Sequence, residues 1–176
     1  DQVLSADAAV LIREIQEPEL PLLEDFLYEA IFVPEGIHSP PRSIIHHPEA
    51  WPLIDGFGTL PSDHCLVAET SDGVVGAVWA RTVKAYGYLD ERTPLLSISL
   101  LPGYRGRGIG TALLGQMLDD LRSRGYQRVS LSVQRANPAL RLYCRAGFVV
   151  HHDDGDELVM VRDLAGADQP GAPNPG

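Results

Sequence analysis

Residues 96–114 read Leu96-Ser97-Ile98-Ser99-Leu100-Leu101-Pro102-Gly103-Tyr104-Arg105-Gly106-Arg107-Gly108-Ile109-Gly110-Thr111-Ala112-Leu113-Leu114. The stretch is a strand, a glycine-rich turn and the start of a helix. Three glycines at alternate positions, Gly106, Gly108 and Gly110, leave backbone N–H groups open to a ligand. They stand at the positive end of a helix dipole, where an anion is favoured. Arg105 and Arg107 add positive charge, and a diphosphate is the natural guest. An ATP-type loop would need Gly-Lys-Ser/Thr, but this one ends Gly110-Thr111 without a lysine. A dinucleotide fingerprint needs a third Gly or Ala three places after the second glycine, and Leu113 stands there. A tight turn without a ligand leaves so many glycines at a helix start unexplained, since each is unfavourable there.

The surrounding pattern sets the architecture. Downstream, a helix is expected from about Gly108 to Arg124, with Leu113, Leu114, Met117, Leu118 and Leu121 as one apolar stripe and Gly125 as its stop. Arg128–Val133 alternates as a half-buried strand. Asn137-Pro138 opens a short helix that Gly147 ends. Phe148–Val150 and Glu157–Val161 are strands around the turn Asp153-Asp154-Gly155. Upstream, strands are expected at Leu95–Leu101, Val74–Ala80, His64–Glu69 and Val10–Ile15, with Ser71-Asp72-Gly73 as a hairpin turn. A helix begins near Glu17-Pro18 and carries Leu22, Leu23, Phe26, Leu27, Ala30 and Ile31 at helical spacing. Residues 33–41 and 86–93 read as loops, and residues 42–57 as one or two short helices broken near Pro48 and Pro52. The order β-α-α-β-β-β-α-β-α-β-β, with an early hairpin and one long helical crossover, implies an α+β fold. Its mixed sheet has helices on both faces. Residues 1–164 are expected to form one domain, and the Pro/Gly-rich stretch 165–176 a disordered tail.

Composition narrows the function. The 176 residues carry a formal net charge of −10, with a pI of about 4.9. Nucleic-acid binding needs a basic surface and is not expected. An acidic surface suits a cationic substrate such as an amine. No apolar run is long enough to span a membrane. The first residues, Asp1 to Ser5, lack the features of a secretory signal, so a cytoplasmic location is expected. Cys65 and Cys144 sit within apolar patterns and are expected to be buried free thiols, and no zinc spacing occurs, so no metal is expected.

Arg105-x-x-Gly108-x-Gly110 resembles the Gln/Arg-x-x-Gly-x-Gly/Ala signature of the GNAT acetyltransferase superfamily. The block Asn137-Pro138-Ala139-Leu140-Arg141-Leu142-Tyr143-Cys144-Arg145-Ala146-Gly147-Phe148 resembles its Asn-x-x-Ala-x-x-x-Tyr-x-x-x-Gly-Phe block, with the alanine one place early. The detailed match covers about residues 95–150. The resemblance implies an N-acetyltransferase that uses acetyl-CoA and a primary amine of a small molecule or peptide, with a homodimer as the family analogy. It implies that Arg105, Gly106, Arg107, Gly108, Ile109, Gly110 and Thr111 bind the CoA pyrophosphate. Ile98, Ser99 and Leu100 would pair with the pantetheine arm, as an added strand does. The backbone N–H of Leu100 would polarise the thioester carbonyl. Asn137 and Leu140 would contact the cofactor, and Tyr143 would protonate the leaving thiolate.

One position departs from the family. Its carboxylate early in the strand is replaced by Leu95 and Leu96, so the base must stand elsewhere. Asp90, Glu91, Glu29 and Glu69 are candidates, as are His46 and His47. Tyr28, Phe32, Trp51, Trp79, Tyr86 and Tyr88 are candidate walls of the acceptor pocket. The missing carboxylate also leaves open a CoA-binding module without catalysis, acting as a sensor or interaction domain.

Overall fold

The structure, a computed structural model, describes residues 2–4 and 9–165. Of the expected tail, residues 165–176, all but Ala165 lie outside the described residues. Eight strands form one sheet in the order β1-β2-β3-β4-β5-β6-β8-β7. They are β1 (Gln2–Leu4), β2 (Ala9–Glu14), β3 (His64–Thr70), β4 (Gly73–Arg81), β5 (Leu95–Leu100), β6 (Arg128–Gln134), β7 (Val149–Asp153) and β8 (Glu157–Asp163). The helices are α1 (Leu22–Ala30), α2 (Ile109–Ser123) and α3 (Ala139–Arg145). Every neighbouring pair is antiparallel except β5 and β6, which α2 joins in parallel. This is the mixed α+β sheet that the pattern implies.

The apolar stripe of α2 is buried as its spacing requires. Leu113, Leu114, Met117 and Leu121 pack with α3, Val129, Leu131 and Met160 in one core. On the other face Leu23, Phe26 and Leu27 of α1 pack on Trp79, Val67 and Ile45. Residues 42–57 form 3-10 turns, Arg42–His46 and Trp51–Leu53, rather than regular helix. Pro48 and Pro52 remove the donors that a longer helix needs.

An ion pair clamps this segment to the sheet. Arg81 and Asp63 are 2% and 1% exposed and lie 2.9 Å apart. Arg81 also donates to the carbonyls of Pro52 and Asp55. Asp63 accepts the N–H groups of Gly58 and Leu60. Every charge is therefore answered, which is the condition for burying one.

One expectation is corrected, and two features were not foreseen. β1 was not foreseen, because three residues are too few to show a period. Cys65 is buried, but Cys144 is exposed. The core stripe of α3 runs through Ala139, Leu142, Tyr143 and Ala146, and Cys144 falls off it at 100° per residue. All of β7 is exposed, including Val149 and Val150, since it is an edge strand paired on one side only.

Candidate active site

β5 and β6 touch at one end and part at the other. Their recorded register pair is Leu95 with Ser130, and Ser130 N–H donates to Pro94 O at 3.0 Å. Beyond that point β5 pairs only with β4, from Arg81↔Leu95 to Gly76↔Leu100. Leu101 N–H donates to Val75 O. Antiparallel alternation therefore turns the backbone groups of Leu101, Ser99 and Ser97 towards β4, and those of Leu96, Ile98 and Leu100 into the gap. An extended ligand can pair there as an extra strand.

Side chains hold this edge in place. Ser99 Oγ donates to Phe26 O at 2.6 Å, tying β5 to α1. Leu100 lies over Gly76, where an added Cβ would come within 2.3 Å of Leu100 Cδ2. Gly76 therefore sets the place of Leu100, a role that only the register of β4 against β5 reveals.

The open edge runs directly into the glycine-rich turn. Gly108 caps α2 with φ 86° and ψ −2°, in the left-handed region that favours glycine. The first N–H groups of α2 have no intrahelical acceptor. A Cβ on Gly108 would meet nothing within 4 Å, whereas one on Gly110 would come within 3.4 Å of Leu142 Cδ2. Gly108 thus faces open space, whereas Gly110 faces Leu142 of α3 and Leu100 of β5. The turn is also tethered. Tyr104 OH donates to Asp72, Arg107 lies over the Tyr104 ring at 5.3 Å, and Arg105 pairs with Glu29 of α1 at 3.1 Å. Arg105 Nε reaches Leu100 O at 3.3 Å.

α3 closes the far side of the gap. Asn137 Oδ1 accepts Ala139 N–H at 2.9 Å and its carbonyl accepts Leu140 N–H at 3.0 Å, so it caps the helix. Tyr143 is buried, with its ring edge-on to Phe148 at 6.0 Å. No partner is recorded for its hydroxyl. Thr82 Oγ1 is the one sealed side-chain polar atom left unpaired among the described residues, so the Tyr143 hydroxyl keeps some opening to solvent. Burial pushes its phenol pKa upward. The group stays protonated, better suited to donating a hydrogen bond than to releasing its proton.

The candidate bases separate. Arg128 pairs with Asp90 at 2.7 Å and, with help from Thr93 and Arg92 N–H, holds its carboxyl at about 2. Asp90 sits at the closed end of the gap and is a poor base. Glu91 is exposed in the same turn. Glu29 is engaged by Arg105, and Glu69 by Arg13 two strands away. His46 stacks on Trp51, and His47 Nδ1 accepts Glu49 N–H. Trp79 is a core residue that donates to Leu53 O. Tyr28 OH donates to Pro40 O.

Three acids that the linear pattern did not single out gather at the C-terminal end of β6. Tyr86 N–H donates to Glu49 and Tyr86 OH to Asp154. The bond to Asp154 raises the Tyr86 phenol to about 12. Glu157 stands opposite Gln134 of β6. Partial burial, then the charges of Asp154 and Glu49, raise its carboxyl pKa. The loop bearing Tyr86 lies against β6: Ser130 Oγ donates to Gly87 O, and a Cβ on Gly87 would come within 3.4 Å of Ser132 N. These residues come from four segments far apart in the chain, so no local motif could show them.

A separate groove of about 380 Å³ opens between β2, β3 and the C-terminal half of α2. It holds the buried His64 between Asp120, Arg124 and Glu14. It lies at the other end of α2 from the glycine-rich turn and contains none of the candidate site residues. Among the described residues no group of three or more His, Cys, Asp or Glu is placed to hold a metal. No described helix is long and apolar enough to cross a membrane.

The sequence model of the acetyltransferase (GNAT) family matches residues 26–148. A [ribosomal protein bS18]-alanine N-acetyltransferase of Haemophilus influenzae is 39% identical over 97 residues, covering 52% of this chain and 62% of that protein. Streptothricin acetyltransferase of Streptomyces lavendulae is 35% identical over 84 residues, covering 47% and 43%. The matched region thus spans less than two thirds of either relative. In fold, the chain is similar to the PaiA N-acetyltransferase of Thermoplasma acidophilum solved with coenzyme A. The TM-score is 0.65 at 21% identity, over 88% of this chain and 98% of that one.

Proposed function

Since the chain belongs to the acetyltransferase (GNAT) family, we propose that it is an N-acetyltransferase that moves an acetyl group from acetyl-CoA to a primary amine of a small molecule or peptide. The observation that carries this reading is the open edge of β5 leading into the α2 turn. It offers paired backbone groups to an extended arm and free N–H groups to a diphosphate at its end. The relatives named above acetylate different acceptors, as their names state, which supports the amine class and no single compound.

Bound acetyl-CoA supplies an activated acetyl thioester. The Leu100 N–H faces the gap and donates to a carbonyl oxygen as negative charge grows on it. The Tyr143 hydroxyl donates to the leaving sulfur. Glu157, its pKa raised by its surroundings, accepts the proton that an ammonium must lose before it attacks. Glu49 and Asp154 make that end attractive to a cation.

The test is thiol release from acetyl-CoA across a panel of amines and peptides with free amino ends. Thiol release with acetylated product supports the reading. Tight CoA binding without turnover on any amine would favour a binding module instead.

A further inference from the structure

His64 is a buried titratable group for which acetyl transfer has no use. Its side chain is 3% exposed, so both ring nitrogens must find partners within the protein. Nε2 lies 2.7 Å from Asp120 Oδ2. Gln116 donates to the other Asp120 oxygen at 2.9 Å. A carboxylate only accepts, so Nε2 carries the proton. In the neutral ring Nδ1 is then an acceptor, and Arg124 donates to it at 3.2 Å. The same nitrogen lies 3.4 Å from Glu14 Oε1, a contact that is favourable only when Nδ1 also carries a proton. One buried nitrogen thus faces a donor and an acceptor, and it can serve only one of them at a time.

The two rivals come from different elements. Arg124 caps the end of α2, and Glu14 is the last residue of β2. β4, the other neighbour of β3, places Ala80 beside His64. Its Arg81 is one residue along, on the opposite face, and is taken up by Asp63. Among the described residues, Asp120, Glu14 and Arg124 are therefore the charged groups that face the ring. We propose that this cluster is a proton-operated latch between β2 and the C-terminal end of α2. With His64 neutral, Arg124 reaches into the groove and closes on Nδ1. With His64 protonated, Nδ1–H donates to Glu14 and Arg124 turns out to solvent. The imidazolium then bridges Glu14 of β2 to Asp120 of α2. Histidine is the side chain whose charge changes between about pH 5 and 8. Both rivals have room to move, since the side chains of Arg124 and Glu14 are 42% and 68% exposed. The latch lies at the end of α2 away from the glycine-rich turn, so it does not depend on what that turn binds.

The experiment is nitrogen-15 NMR of the histidine rings in the full chain from about pH 5 to 8, beside crystal structures at the two ends of that range. At the upper end His64 should be the Nε2–H tautomer, with Arg124 on a bare Nδ1. At the lower end both nitrogens should be protonated, with Glu14 on Nδ1 and Arg124 withdrawn. Glu14→Gln should move the midpoint of the ring's titration to lower pH, and Arg124→Ala to higher pH, each by about 0.5. Asp119→Asn removes a carboxylate from the same helix turn that serves Arg122 rather than the ring, and it should move the midpoint by about 0.1 or less. A His64 ring that does not titrate across the range overturns the proposal, as does the same partner on Nδ1 in both structures. Equal shifts in Glu14→Gln and Asp119→Asn also overturn it, since they report general charge. All three substitutions are at exposed positions, and a thermal melt confirms that each variant is folded.

Discussion

Gly108 and Gly110 are two residues apart in one motif, yet the structure predicts opposite outcomes when each becomes alanine. Gly108 has φ 86°, and a side chain in that left-handed region costs about 1–2 kcal/mol. For a protein of this length 1 kcal/mol moves the melting temperature by about 2–4 °C, so Gly108→Ala should melt lower by roughly 2–8 °C. Its methyl group would also stand in the open space that a diphosphate needs, and CoA affinity should fall about tenfold or more. Gly110 has ordinary helical backbone, and its new Cβ would rest 3.4 Å from Leu142 Cδ2 and 3.8 Å from Leu100 Cδ1. That is the edge of normal packing. Alanine is favoured over glycine in a helix by up to about 1 kcal/mol. Gly110→Ala should therefore melt at the parent's temperature or up to about 4 °C higher. Its CoA affinity should stay within about twofold of the parent's, well under the tenfold step of 1.4 kcal/mol. The assay is a thermal melt beside calorimetric titration with CoA, on both variants. If Gly110→Ala loses affinity as severely as Gly108→Ala, or if Gly108→Ala matches the parent in both measurements, the assignment of the two faces is wrong.

Tyr143→Phe should lower kcat by about 10²-fold with little change in CoA affinity or melting temperature, because its hydroxyl has no recorded partner to lose; turnover within about threefold of the parent would refute the donor role. Glu157 has a raised carboxyl pKa, so as a base it serves above that pKa and is lost as pH falls through it. The kcat/KM profile of Glu157→Gln should lack the lower-pH inflection and keep only that of the amine, and an unchanged profile would assign the proton to another group. Asp63→Asn leaves Arg81 charged and buried; it should destabilise the fold by about 3–5 kcal/mol, a fall in melting temperature of roughly 6–20 °C, and a smaller change would show that water reaches the pair.

Local chemistry made much of this protein legible from its residues in order. The α2 stripe from Leu113 to Leu121, the alternation of β6 and the glycine-rich turn each depend on neighbours within one or two helical turns, so periodicity alone located them. Asn137 is a helix cap by the same local logic, with the side-chain bond to Ala139 that such a cap makes. The ends of the short elements were less visible. A strand of three residues has no period, and prolines inside residues 42–57 blurred the line between helix and 3-10 turn.

What the tertiary structure alone decided lies between segments distant in the chain. The parting of β5 from β6 beyond Leu95 depends on how two parallel strands are seated, and it leaves the gap-facing backbone of Ile98 and Leu100 without a strand partner. Asp90 looked available beside β5 until folding brought Arg128 against it. Gly76 gains its meaning only across the β4–β5 ladder, under Leu100. Glu49, Tyr86, Asp154 and Glu157 meet through loops whose lengths say nothing of where they land. Side-chain charge and the bending of a turn are written residue by residue. Which charges face one another, and which backbone edge is left open, depends on long-range packing that no spacing in the chain encodes.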